Sequence, residues 1–253
     1  MKKHTTKLVA LLVLTMLLSA CKKDKDDNTA TTALLFLLDQ TSGNCAVVQR
    51  TNSTLFSASL SVIPKGGCNQ ATIVGSTLAA NTLITQANYD VAQTLATSLG
   101  CNANTSNALT NAKNAAATAN ATASAQTTFD TNAEKTRYFP IADLRIEGLV
   151  ALNTALSPLG FSQAEILALK TVSVDLIKTL APLSFLTIAA TGAGDAACVT
   201  AAGNKITTDF AGVYGFDQTA TTKAKISKLA QIQCTYGSGA AANSTCATLN
   251  TQF

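Results

Sequence analysis

Two pairs of carboxylates have the spacing that chemistry would need. Asp130 with Glu134, and Asp143 with Glu147, stand four positions apart, so each pair shares a face wherever the chain is helical. Oxygen ligands so placed can hold a divalent cation, and two carboxyls about 5 to 10 Å apart can run glycoside hydrolysis. The neighbouring residues favour a plainer outcome. Arg145 lies between Asp143 and Glu147, while Lys135 and Arg137 follow Glu134, as on a solvated helix face with local ion pairs. The segment Gly192-Ala193-Gly194-Asp195 could open a helix N-terminus toward an anion, but Asp195 would repel a phosphate, so a connector ending in an N-cap is expected. Serine and lysine are both present without a recognisable dyad context. No catalytic residue, metal ligand or cofactor is assigned.

Composition narrows the chemistry further. The single histidine is His4 and the two methionines are Met1 and Met16, and the chain has no tryptophan. Once the N-terminal segment is removed, no imidazole remains, which excludes Ser-His-Asp and Cys-His catalysis and any His-ligated metal. The four tyrosines, Tyr89, Tyr138, Tyr214 and Tyr236, are candidate binding contacts, and Tyr138-Phe139 is the most aromatic point. Without Trp the usual platform for flat sugar faces is weakened.

That N-terminal segment carries its own signal. Basic residues Lys2, Lys3 and Lys7 precede an apolar run over 8–18 broken only by Thr15. Crossing a bilayer takes roughly 20 apolar residues, so the run is too short to span and reads as a secretory signal peptide. It ends in Leu18-Ser19-Ala20-Cys21, which resembles the lipobox of bacterial lipoprotein precursors. The resemblance implies cleavage before Cys21 and acylation of that cysteine, leaving the protein anchored to the outer membrane through its acyl chains. Each buried CH₂ contributes roughly 0.8 kcal/mol, so several chains hold where one would let go.

Residues 22–32 are polar, beginning Lys22-Lys23-Asp24-Lys25-Asp26-Asp27, and suit a solvated tether. Lys22 in place of Asp lacks the inner-membrane retention signal of enteric lipoproteins. The Lys-then-acidic order is similar to the surface-export signal of Bacteroidetes lipoproteins, with Lys25 interrupting the acidic pair. Display on the surface and a periplasm-facing anchor both stay open, as does a linker that only keeps the globule off the lipid.

Removing Lys2, Lys3 and Lys7 also changes the charge picture. The formal +4 of the whole chain belongs mostly to the signal, and no basic cluster remains beyond Lys223, Lys225 and Lys228. Nucleic-acid binding, which needs a basic patch with stacking partners, is set aside.

Six cysteines follow the anchor: Cys45, Cys68, Cys101, Cys198, Cys234 and Cys246. An even number in an exported chain argues for disulfides, although the sequence alone leaves the connectivity open. The preferred pairing closes two local loops, Cys45 with Cys68 and Cys234 with Cys246, and leaves Cys101 with Cys198. No CxxC occurs to suggest a redox pair or thiolate zinc site.

The elements that would position these residues are mainly helical. Phe56, Ala58, Leu60 and Val62 alternate with serines, a period-2 strand signal, and Cys45 to Arg50 supplies a hairpin partner. Residues 33–38 read as a buried strand or short helix. Helical spacing then predicts one long helix over about 71–99, a thin helix or mobile excursion over 102–129, and a helix opened by Pro140 and stopped at Pro158. Further helices are expected from the capping box Ser162-Gln163-Ala164-Glu165 to a break at Pro182, from the N-cap Asp195 to Gly215, and over about 220–234. The expected fold is therefore a disulfide-tied, mainly α helical bundle with a small N-terminal β-hairpin. Its parts are a signal peptide (1–20), a lipidated cysteine and tether (21–32), and one domain (33–253), with hairpin over 33–68 and helices over 69–253.

The function expected from these features is that of a non-catalytic envelope lipoprotein that binds a macromolecular partner or contributes to surface structure. Alternatives are a periplasm-facing carrier of an apolar ligand and a carboxylate-based envelope hydrolase.

Overall fold

Alternation of apolar and polar residues builds the centre of the molecule. In the structure, a computed structural model that describes residues 43–249, strands β1 (Asn44–Arg50) and β2 (Phe56–Val62) form an antiparallel hairpin, with Asn44 opposite Val62 and Arg50 opposite Phe56. The signal sequence, Cys21, the tether and residues 33–38 lie outside the described residues. Period-2 geometry sends Ala46, Val48, Ala58 and Leu60 to one buried face.

The hairpin is the middle of a larger antiparallel sheet. Its two outer strands are β3 (Thr136–Pro140), paired with β1, and β6 (Gln231–Tyr236), paired with β2. Both lie inside 69–253, the stretch expected to be helical throughout. Apolar residues at 226, 229 and 232 fall at the helical step of three, but Ile232, Cys234 and Tyr236 are buried and alternate with exposed Gln231 and Gln233, the period of a strand. Pairing with β2 selects the strand period over 231–236. Pro140, expected to start a helix, instead ends edge strand β3, a place where a missing N–H is tolerated. A short parallel pair, β4 (Lys170–Thr171) with β5 (Lys228–Leu229), crosses what the sequence suggests is one helix after Ser162.

The helices are shorter and more numerous than spacing suggests, because local turn chemistry cuts them. Helix α1 (Gln70–Ile73) is separated from α2 (Leu78–Ser98) at Gly75, whose φ of +89° and close approach to the Asn81 backbone require glycine. The Asn/Ala/Thr-rich stretch forms two helices, α3 (Ala103–Ala119) and α4 (Ala123–Glu134), with N-caps at Asn102 and Thr122. Helices α5 (Leu144–Glu147) and α6 (Leu149–Leu156) meet at Gly148, where a Cβ would lie 2.3 Å from Ile232 Cγ2. The capping box forms as expected and opens α7 (Gln163–Ala168). Next come α8 (Val174–Lys178) and α9 (Leu180–Gly192), in which Pro182 sits in the first turn, where its missing N–H is no loss, and so does not break the helix. Helix α10 (Ala196–Asp209) starts from the N-cap Asp195 and ends well before Gly215.

Two hydrophobic clusters result. One lies under the sheet and takes in Leu144, Leu152, Ile166, Phe210 and Leu229. The other joins α2, α3, α9 and α10 through Ala92, Ala96, Leu109, Leu186, Ala190 and Ala202. Helix α9 belongs to both, with Leu183 in the first and Leu186 in the second. The stretch Val174–Gly192 is long and apolar enough to cross a membrane by length and composition; Leu183, Leu186, Ala189 and Ala190 within it are buried, while Ile188 is exposed.

Three disulfides join Cys45 to Cys68, Cys101 to Cys198 and Cys234 to Cys246, two local loops and one long-range bridge. The fold is thus mostly helical, with a small antiparallel sheet and three disulfides.

Candidate functional site: an uncharged cleft over the sheet

The face of the sheet that turns away from the core is polar. Strand register aligns its side chains in two rows across four strands: Tyr138, Val47, Ser59 and Gln233 in one, Thr136, Gln49, Ser57 and Thr235 in the other. At about 4.8 Å between strands, each row runs roughly 14 Å. Helix α4 lies over this floor with one face, Ala125, Thr128, Phe129, Asn132 and Ala133, at steps of three and four. No residue of α4 is buried, so it covers the sheet without packing down on it. Gln70, Val74, Leu78 and Asn81 close the far side. The cleft between them is open to solvent and has a volume of about 1000 Å³.

Its lining is mixed, with Val47, Val74, Leu78 and Phe129 standing among polar groups. Among the residues that line it, six are amides and nine carry hydroxyls, and none bears a charge. Some of these groups hold the walls: Asn120 Nδ2 donates to Thr82 Oγ1 at 2.8 Å, Asn81 Nδ2 donates to the Val74 carbonyl at 2.8 Å, and Thr235 and Ser244 share a hydrogen bond of 2.8 Å. Others are unengaged. Among the described residues, the side-chain amides of Gln49, Gln70, Asn132 and Gln233 and the Tyr138 hydroxyl make no hydrogen bond within the protein. Partial burial raises the Tyr138 pKa above its ordinary value, so the phenol is protonated at neutral pH and both donates and accepts.

The carboxylates singled out by spacing stand elsewhere. Asp130 accepts from Gln126 Nε2 at 2.8 Å on the exposed side of α4, which Glu134 ends. Asp143 and Glu147 do not share a solvated face. Asp143 caps α5 and takes a bidentate pair from Arg145, with Nε–Oδ1 at 2.9 Å and Nη2–Oδ2 at 2.6 Å. Burial pushes the Asp143 carboxyl up, and its bonds and attraction to Arg145 outweigh this, leaving its pKa below the ordinary value. Glu147 is only 3% exposed. It accepts from the backbone N–H groups of Thr248 and Leu249 at 2.8 and 2.9 Å and from the Thr248 hydroxyl, so it straps down the C-terminal segment. Both acids border a smaller cavity beside Phe139 and Tyr236. The ion pairing expected of Glu147 with Arg145 gives way to this long-range role.

Asp195 is the N-cap that the sequence suggests, and more. It accepts from Cys198 N–H at 3.1 Å, Asn102 N–H at 2.9 Å and Thr105 Oγ1 at 2.8 Å, so it ties the start of α10 to the start of α3. The Asn102 bond, with those from Thr105 and Cys198, lowers its pKa against the opposing effect of burial. Cys101, Asp195 and Cys198 have ligand atoms within 4.8 Å of one another, but both sulfurs are spent in a disulfide, so the group does not suit a metal ion. Of the basic cluster, Lys223 Nζ is held by the Gly160 carbonyl at 2.9 Å and Glu165 at 2.7 Å. That bond, with those from Ser162, lowers the Glu165 pKa to about 2.

The tyrosines divide. Tyr89 stacks on Phe185 with centroids 4.4 Å apart and Tyr236 on Phe56 at 4.9 Å, while Tyr214 packs against the sheet core. Tyr138 alone among them lines the cleft. Sequence reasoning did not single out Gln49, Ser57, Ser59, Gln233 or the inner face of α4. The signals were present in the polar half of the 56–62 alternation and in the helical spacing of 125, 128, 129, 132 and 133, but only pairing places them opposite each other.

Comparison with known proteins gives no matching family model, no similar curated sequence and no similar solved structure.

Proposed function

We propose that the chain is a lipid-anchored, non-catalytic protein of the bacterial outer membrane, held by acyl chains on Cys21, whose globular part binds an uncharged ligand in the cleft between the sheet and α4. The observation that carries the binding role is the cleft itself: about 1000 Å³, ringed by amides and hydroxyls, with four amides unengaged and no charge on its walls. Pockets of a few hundred to a thousand cubic ångströms with converging polar groups are where small ligands bind. The unengaged amides disfavour a wholly apolar ligand, which would cover them without replacing their water, although Val47, Val74, Leu78 and Phe129 offer apolar contact. The hydrolase alternative is weakened because no carboxylate lines the cleft and Glu147 is occupied with the C-terminal segment.

Two measurements test the proposal. For the anchor, Cys21→Ala is expected to abolish incorporation of radiolabelled palmitate, and continued labelling would overturn lipidation; protease treatment of intact cells then assigns the surface or the periplasmic face. For the cleft, native mass spectrometry after incubation with a deproteinised extract of the cell envelope is expected to show bound neutral mass. The same mass should be missing from Ala133→Trp, which fills the cleft. Equal retention by that variant would move binding elsewhere.

A further inference from the structure

We infer that the ligand class of this cleft is a neutral oligosaccharide, an inference that rests on the cleft-binding reading above. A sugar hydroxyl both donates and accepts a hydrogen bond, and neighbouring hydroxyls present the two functions side by side. A carboxamide does the same from one rigid group, with an oxygen acceptor next to an NH₂ donor. Gln49 and Gln233 stand on adjacent rows of the floor, on β1 and β6, and Gln70 and Asn132 also line the cleft, so four such groups converge on one volume with no hydrogen-bond partner among the described residues.

Charge decides against the acidic members of the class. An uronate, sulfate or phosphate would meet no cation among the described residues that line the site and would lose hydration without gaining a counter-charge. The apolar elements are of the kind that meets the C–H face of a pyranose ring. Tyr138 and Phe129, both half-buried, come from the floor and from α4, and Val47 lies beside Tyr138 in the same row. Tyr138 thus does in a modest way what the absent Trp would do.

An uncharged peptide is the competing ligand, and the geometry disfavours it. Peptides bind sheets best by adding a strand to an edge, where main-chain hydrogen bonds supply affinity. The cleft lies over the face of the sheet, whose main-chain groups are already paired in the ladder. The β6 side is further covered, since Cys246 N–H donates to the Thr235 carbonyl at 2.9 Å.

The test uses the full-length lipidated protein in detergent micelles. It is applied to immobilised linear glucans and mannans, to the same backbones bearing uronate or sulfate, and to capped uncharged peptides. Retention of neutral glycans is expected, with little change in Kd when salt is raised, because no ion pair contributes. Gln49→Ala with Gln233→Ala, both exposed positions whose loss leaves the core intact, should weaken binding about tenfold or more, because each substitution removes its hydrogen bonds to the glycan. Tyr138→Ala should weaken it separately, while Tyr138→Phe should keep the stacking share. Preference for the charged backbones, or failure to retain any neutral glycan, overturns the saccharide assignment. Peptide binding that the same cleft variants abolish would overturn the saccharide and spare the cleft reading. Glycan binding that none of the cleft variants alters would overturn both.

Discussion

Leu60, Val48 and Ile232 fill the space under the sheet with branched side chains, whereas α2, α9 and α10 meet through Ala92, Ala96, Ala189, Ala190 and Ala202. The first region is held by bulky apolar burial within a ladder of main-chain hydrogen bonds. The second brings helix axes close on small residues that each remove little surface from water, so it depends more on dispersion contacts and on cross-links. The one long-range disulfide among the described residues falls there. Cys101–Cys198 and the Asp195 hydrogen bonds both join α3 to α10, in the alanine-packed half. The two local disulfides both reach the sheet, Cys45 in β1 and Cys234 in β6, and close loops of only 23 and 12 residues. The cleft lies on the polar side of the better-packed region, which gives its floor a rigid base.

The contrast can be broken most directly at Cys101–Cys198. Its sequence separation is 97, so replacing both cysteines by serine should cost about 4 to 5 kcal/mol, against about 3 kcal/mol for the Cys45–Cys68 loop, on the chain-entropy account. Urea unfolding of the two double variants measures this, and an equal or reversed order would show that the helical half does not rely on its staple. Next in size, Leu60→Ala should lose about 2 to 5 kcal/mol by opening a cavity under the sheet. Enlarging an alanine is the complementary test. Ala96→Leu should lose about 1 to 3 kcal/mol by forcing helices apart, and a neutral result would mean that the small residues do not set their spacing. Smaller again, Ser162→Ala removes the capping box of α7 and should cost about 1 kcal/mol, read as a modest fall in Tm.

Acid provides the last comparison, with no effect expected near neutrality. The folded-state pKa values of Asp195 in the helical half and Asp217 in the sheet half are lowered, the second by the Gly212 N–H and the Thr219 hydroxyl and N–H. A lowered pKa means that the unfolded chain binds protons first. The stability from both groups is therefore present above the ordinary value of 3.8 and is lost as pH falls through the lowered values. Glu165 acts in the same direction between 4.5 and about 2. A Tm that stays level from pH 5 down to pH 2 would contradict this linkage.

Local signals were the legible ones. The hairpin, the capping box at Ser162 and the cap at Asp195 each depend on residues within a few positions of one another, and each forms where the spacing puts it. Longer readings failed where strand pairing overrode a local helical spacing. Ile226, Leu229 and Ile232 satisfy a helix, yet the free side of β2 takes 231–236 as a strand, because buried main-chain groups must find partners. Glu147 shows the same limit at one side chain. Its neighbour Arg145 suggested a surface ion pair, but Thr248 and Leu249, about a hundred residues away, supply its donors.

Residue types by themselves determined which chemistry is open to this protein: no histidine beyond His4, six cysteines beyond Cys21, and strand and helix periods wherever one pattern was unambiguous. Those properties are local or compositional, so they survive without knowledge of the fold. The cleft is neither. Gln49, Ser57, Gln233, Tyr138 and Asn132 come from four strands and a helix spread over nearly two hundred residues, and no spacing rule links them. Strand pairing aligned the polar sides of the sheet, and the failure of α4 to pack down on them left the space, so only the tertiary structure decided where a ligand could sit.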